Sequence, residues 1–415
     1  MSRMHRLTTI PSFALLAVAL ASACSNGEGA GSRPTAASET PTSSPATAPS
    51  TPSTDGASRF PDWPDTDFSR VEVNLDEVIR GCPGPDCIPP LDAEGATSIP
   101  GERGGQAKFV TIAAADVAPQ MPVAAVVVNG EARAYPLHIL TWHEIVNDTL
   151  GGIPVAVTFC PLCNTAISFD RRVGAETLDF GVSGNLRNSD LIMWDRQTHS
   201  WWQQATGEGI VGTHAGVLLK VLPTSIISYQ DFTAAYPGAL VLSEDTGFAR
   251  EYGINPYEGY DSSGSQPFLF DGKIDDRLDA LERVATIEHE EEFLALPFSA
   301  LSTTSVANVS VGGAPFAVFW TAGTTSALGA ASIASSRDVG AAVVFDPRVD
   351  GQSLTFTKSG EGSFRDDQTG STWTITGRAT GGSLAGKQLA AAAHTTQFWF
   401  AWAAFHPGTK IWAPS

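Results

Sequence analysis

The chain has 415 residues, with 44 acidic against 25 basic side chains and a formal net charge of −19. A chain this acidic lacks the concentrated Lys and Arg that phosphate contacts need, which excludes nucleic acid as a partner. Beyond the N-terminus no stretch is apolar for long enough to form a transmembrane helix.

Arg3, His5 and Arg6 form a short basic region, residues 13–21 are almost wholly apolar, and Ala21-Ser22-Ala23 places small residues before Cys24. That is the order of a secretory signal peptide, here residues 1–23. The small-small-Cys junction resembles the lipobox of bacterial lipoproteins, with Leu20 one place earlier than usual. The resemblance implies cleavage before Cys24 and a lipid on its sulfur. The folded part would then be anchored at the extracytoplasmic face of the cell membrane. Residues 24–58 are rich in Ser, Thr, Pro, Ala and Gly. They cannot bury enough surface to offset chain entropy and are expected to form a disordered tether.

Four cysteines remain: Cys82, Cys87, Cys160 and Cys163. Outside the cytoplasm thiols tend to oxidise, and three pairings are open. The local one, Cys82 with Cys87 and Cys160 with Cys163, is the expected one. Residues 68–92 read as a short strand or helix followed by a Pro/Gly-rich loop that the first pair would brace.

Further along, residues 121–128 and 131–135 flank Asn129-Gly130, a type I′ hairpin signal. Pro136 opens a short helix carrying LHILTWHEIV, expected to stop near Asn147-Asp148. Residues 153–159, 164–169 and 176–182 read as strands. Residues 224–236 read as a helix, with Thr224 as its cap and Pro237-Gly238 as its stop.

An internal repeat organises the rest. GGIPVAVTF at 151–159 matches GGAPFAVFW at 312–320, and AYPLHIL at 134–140 matches ALPFSAL at 295–301 at the same offset. LDFGVSG at 178–184 resembles LTFTKSG at 354–360, and DRQTHSWW at 195–202 resembles DDQTGSTW at 366–373. The expected architecture is mainly β (a β-rich α+β fold) in two pseudo-repeated halves with a few short helices. The first half is 59–242, the connecting segment 243–290, and the degenerate second half 291–415. Residues shared by the copies, such as Asp195 and Thr198, belong to the fold. The first copy alone carries Tyr135, His138, His143, Glu144, Cys160 and Cys163, where the second has Leu296, Ser299, Thr304, Ser305, Thr321 and Thr324.

WHEIVND at 142–148, VTFCPLCNTAISF at 157–169 and SGNLRNSDLIMWDRQTHSWW at 183–202 resemble a bacterial family of unknown function. That family is marked by a Cys-Pro-Leu-Cys box and found in secreted or membrane-attached proteins. The resemblance names a domain and implies no activity. Its loop corresponding to GCPGPDCIPPLD usually has Gly at the places of Cys82 and Cys87, which implies an added local disulfide.

Cys160-Pro161-Leu162-Cys163 is the centre of chemical interest. Its flanks are strands, so it sits on a bend and not at a helix N-terminus as in thioredoxin-like proteins. Three readings stay open: a structural disulfide, a thiol/disulfide redox pair with His143 as its base, and a soft-metal site for copper or zinc. In the metal reading Cys160, Cys163, His143 and Met193 would be the donors. The polar box 183–190 reads either as a ligand loop or as a run of Asx turns. Nothing resembles a phosphate loop, a nucleophile elbow or a zincin helix. The leading functional reading is an extracytoplasmic redox or metal-handling lipoprotein. The competing one is a non-catalytic binding or scaffold lipoprotein. The protein or small-molecule partner is left open.

Overall fold

The computed structural model describes residues 56–93, 105–262 and 264–414. The expected signal peptide, the expected lipidation site at Cys24 and nearly all of the expected tether lie outside the described residues. Strands dominate the rest, with a few helices of at most seven residues. Among the described residues no helix is long and apolar enough to cross a membrane.

The Asn-Gly hairpin forms as its sequence dictates. Strands β1 (Pro122–Val128) and β2 (Glu131–Pro136) pair antiparallel. Asn129 and Gly130 both take the positive φ that a type I′ turn requires, 50° and 82°. Helix α1 (Leu137–His143) follows directly and stops three to four residues earlier than its apolar pattern suggests. Glu144 takes φ 58° and ends it, its N–H reaching back to the Leu140 carbonyl at 2.7 Å. The β-branched Ile145 and Val146 then open strand β3 (Ile145–Leu150), which pairs with β4 (Ile153–Cys160) and through it with β5 (Thr165–Asp170).

Strands β6 (Phe180–Arg187) and β7 (Asp190–Asp195) form a long hairpin closed by Asn188 and Ser189. The helix expected over 224–236 is split. Residues Thr224–Ser228 are strand β8, held against β1, and only Tyr229–Ala235 is helical (α2). Ser225, Ile226 and Ile227 gain more from cross-strand pairing than from a helical turn. The cap is Ser228, whose hydroxyl accepts from the Asp231 N–H at 3.0 Å.

The order strand–strand–helix–strand–strand–strand occurs again from Arg283. It comprises β9 (Arg283–His289), β10 (Glu292–Pro297), α3 (Phe298–Thr304), β11 (Val306–Val311), β12 (Ala314–Thr321) and β13 (Ala341–Asp346). Ser305 ends α3 with φ 63°, as Glu144 ends α1. A shorter hairpin, β14 (Phe356–Gly360) with β15 (Ser363–Asp366), follows.

Several polar clamps occur in both stretches and serve the fold. Asn147 bonds the backbone of Phe180 through both ends of its amide, as Asn308 does that of Phe356. Asp195 accepts from the Trp202 indole at 2.8 Å, and Asp366 from Trp373 at 2.9 Å. One apolar core gathers Val123, Ile227 and Phe232 with Phe319, Phe345 and Trp373, so the two stretches share buried surface. Strand β16 (Thr395–Phe398) reaches back across this boundary, and its Phe398 N–H donates to the Cys163 carbonyl at 2.9 Å.

Candidate functional site

Cys160 is the last residue of β4, and Pro161-Leu162-Cys163-Asn164 turns the chain into β5, where Thr165 pairs with Cys160. Asn164 takes φ 51° to close the bend. The Cys-x-x-Cys motif therefore lies on a hairpin, as the flanking strands indicate. The two sulfurs are buried, with Cys160 2% and Cys163 0% exposed, and they are not joined to each other. Of the expected local bonds only Cys82–Cys87 is present. That bond braces a loop whose Cys82 N–H donates to the Gly184 carbonyl. In the same loop Asp86 accepts from the Val182 N–H at 3.0 Å and pairs with Arg196 at 2.7 Å. The disulfide loop thus props the hairpin β6–β7.

The tip of that hairpin completes the cluster. Both thiols donate to the Ser189 carbonyl, Cys160 at 3.7 Å and Cys163 at 3.4 Å. Asp190 presents a buried carboxylate to the same space, and one donor atom each from Cys160, Cys163 and Asp190 lies within 4.8 Å of the others. Asp190 Oδ2 accepts from the Gln203 side chain at 2.6 Å and from the Ala205 N–H at 2.9 Å. Its Oδ1 is buried and takes no well-formed hydrogen bond. The later hairpin, β14–β15, is shorter and turns between Gly360 and Ser363, with no cysteine or aspartate at its tip.

The electrostatics of this space are those of acids deprived of water. Burial is the main cause in each case, because it disfavours the charged form. It raises both thiols, Cys163 well above the ordinary thiol range. It raises the Asp190 carboxyl to about 7 and the Glu144 carboxyl to about 8. The negative charge of Asp190 adds to the shifts of Cys160, Cys163 and Glu144. Tyr257 and Tyr260, from the segment joining the two halves, are also raised by burial. Glu144 and Cys160 push Tyr257 further, and the two cysteines push Tyr260. The Tyr260 hydroxyl donates to the Leu162 carbonyl at 3.0 Å, and the Ser189 hydroxyl to the Phe268 carbonyl at 2.5 Å. This segment therefore lies over the Cys bend.

Two residues expected here take other positions. His143 is buried, with Nδ1 2.7 Å from the Pro89 carbonyl and Nε2 2.6 Å from the Tyr252 hydroxyl. A carbonyl only accepts, so Nδ1 carries the proton and Nε2 accepts from Tyr252. Burial holds the imidazole neutral, with its pKa lowered to about 4. Both ring nitrogens are committed, and neither reaches a sulfur. Met193 sits in the apolar core with Val182 and Trp202 as cross-strand neighbours. It is three residues along β7 from Asp190, roughly 10 Å of strand. The third donor that the fold brings to the sulfurs is Asp190. We expect His143→Ala to destabilise the protein by about 2–4 kcal/mol, through lost packing and loss of its bonds to the Pro89 carbonyl and the Tyr252 hydroxyl, as read by urea unfolding.

The sequence held a signal for Asp190, since it closes the unusually polar box 183–190, which stood open as a ligand loop. A helix running on to Val146 would point Glu144 away from His143, because adjacent helical residues do not face each other. The helix ends at His143, and Glu144 is instead buried within electrostatic reach of Asp190. Nothing local marks Tyr257, Tyr260 or the Ser189 carbonyl, which reach the site through long-range packing.

A family model described as "Protein of unknown function (DUF3179)" matches residues 85–409. No curated protein and no solved structure matches the chain.

Proposed function

The chain belongs to the DUF3179 family of proteins of unknown function, and from that premise we propose that its first half is a metal-handling domain in which Cys160, Cys163 and Asp190 bind one thiophilic divalent cation, zinc(II) foremost. The observation that carries this reading is the convergence of two thiols and a carboxylate in buried space, with Asp190 Oδ1 lacking a well-formed partner. Buried acids so placed must keep their protons or exchange them for a cation. Charge favours zinc(II) over copper(I). Two thiolates and a carboxylate carry three negative charges, so a monovalent ion would leave two of them uncompensated. The carboxylate is also a harder donor than copper(I) selects.

Dithiol exchange, the alternative chemistry for the same pair, fits less well. The thiols are buried, raised in pKa and away from any helix N-terminus, which keeps the attacking thiolate scarce and shielded. The test is metal analysis of protein purified under reducing conditions, followed by cobalt(II) substitution. One equivalent of zinc, and a sulfur-to-cobalt charge-transfer band, are expected. Protein with no ion and a Cys160–Cys163 disulfide would sink the proposal in favour of a structural clamp.

We further propose that the domain works outside the cytoplasm, tethered through a lipid on Cys24. The N-terminal sequence and the Cys82–Cys87 bond, at home in an oxidising compartment, support this. The two halves are read as copies of one unit, on the strength of the matching sequence blocks and the shared clamps. Cys24→Ala should move the protein from the membrane fraction to the soluble one, and continued membrane retention would refute the anchor.

A further inference from the structure

The reading above uses three donors, and a tetrahedral ion takes four. We infer that the fourth is the main-chain carbonyl oxygen of Ser189, which makes this a closed S₂O₂ site that holds its ion away from exchangeable water. The inference rests on the proposed metal site and specifies its coordination.

Geometry carries it. With zinc–sulfur and zinc–oxygen lengths of about 2.3 Å and roughly 2.1 Å, the sulfur-to-oxygen edge of a tetrahedron is about 3.6 Å. The Ser189 oxygen stands 3.7 Å from the Cys160 sulfur and 3.4 Å from the Cys163 sulfur. Both thiols have this one oxygen within hydrogen-bond reach. An ion placed between the three atoms replaces both S–H···O contacts with bonds, and the two protons leave to solvent together with that of Asp190.

The chain sets this oxygen in place at a conformational cost. Asn188 and Ser189 are consecutive non-glycine residues in the left-handed region, at φ 54° and 65°. Asn tolerates that region, but Ser gains nothing from it locally, and Gly would close the two-residue turn more easily. What Ser189 supplies is its hydroxyl, which donates to the Phe268 carbonyl at 2.5 Å. That bond ties the turn to the segment lying over the bend and fixes the direction of the Ser189 carbonyl. Ser189 is therefore a ligand through its backbone and a positioning residue through its side chain.

The experiment uses the full chain loaded with cobalt(II), with azide as the probe of an open coordination position, and X-ray absorption of the zinc form. The expected result is two sulfur and two oxygen neighbours, and a cobalt spectrum that azide leaves unchanged. Ser189→Ala removes the hydroxyl and keeps the carbonyl. It should speed loss of zinc to a chelator by about tenfold or more, the range seen when groups that orient ligands are removed. In that variant azide should shift the cobalt spectrum. Azide binding to the wild-type protein, or an exchangeable water in the first shell, would overturn the closed site while leaving the three-donor site intact. Wild-type protein that takes up no cobalt at all would overturn both.

Discussion

Metal-free protein is expected to lose stability as the pH rises from about 6.5 to about 8. Asp190, held near 7, and Glu144, held near 8, keep their protons in the folded state at pH values where the unfolded chain has released them. The folded state then binds more protons than the unfolded one, so the stability slope against pH is negative across that window. The two groups together are worth roughly 2–3 kcal/mol over it. Below about 6.5 the histidines act in the opposite sense. His143 and His406 are both neutral in the fold down to about 4, whereas the unfolded chain protonates them sooner. There the histidines offset the two carboxyls, and the upper window is the clean one. Asp190→Asn and Glu144→Gln should each flatten the upper slope, and the double variant should remove most of it. Urea unfolding at a series of pH values reads this directly. A wild-type slope that is flat or positive between 6.5 and 8 would mean that the two carboxyls are not buried together as described. Adding zinc should stabilise the protein most at the upper end, where the ion takes over the compensation that protons no longer supply.

The second large effect concerns the sulfurs. Cys160→Ser or Cys163→Ser is expected to weaken zinc binding by more than about a hundredfold, a larger loss than that of any supporting group around a metal. Asp190→Asn should weaken it by about ten- to a hundredfold, since the amide oxygen remains a donor but brings no charge. His143→Gln and Met193→Leu should leave affinity within a factor of a few, as neither side chain reaches the cluster. Competition against a chromophoric chelator measures the whole series. Equal losses for His143→Gln and Asp190→Asn would restore the histidine to the site and displace the carboxylate.

The parts of this molecule that sequence made legible are those governed by local chemistry. Asn129-Gly130 forces one kind of turn, Cys160 to Cys163 falls between β-branched strands, and Cys82 and Cys87 flank a Pro/Gly-rich loop that folds back on itself. The parts that escaped depend on partners distant in sequence. Residues 224–228 have an acceptable helical pattern, and only the edge of β1, a hundred residues earlier, makes them a strand. His143 has the right face of the right helix for a site residue, yet Pro89 and Tyr252 claim both of its nitrogens. Comparing the two sequence halves located the chemistry at the bend. It could not supply the third donor, because Asp190 lies on a hairpin tip that the second half lacks and so has no counterpart to differ from.

The backbone bond from Phe398 to the Cys163 carbonyl bears on how such a centre is made. Phe398 lies near the C-terminus, and the tyrosines that cover the bend lie between it and the first half. A ribosome or translocation pore emitting this chain releases both sulfurs long before the residues that enclose them. During that interval the pair is open to solvent, to oxidants and to ions. On the metal reading proposed above, an ion loads fastest before β16 docks, and uptake by the folded protein goes to completion more slowly because β16 packs against the bend.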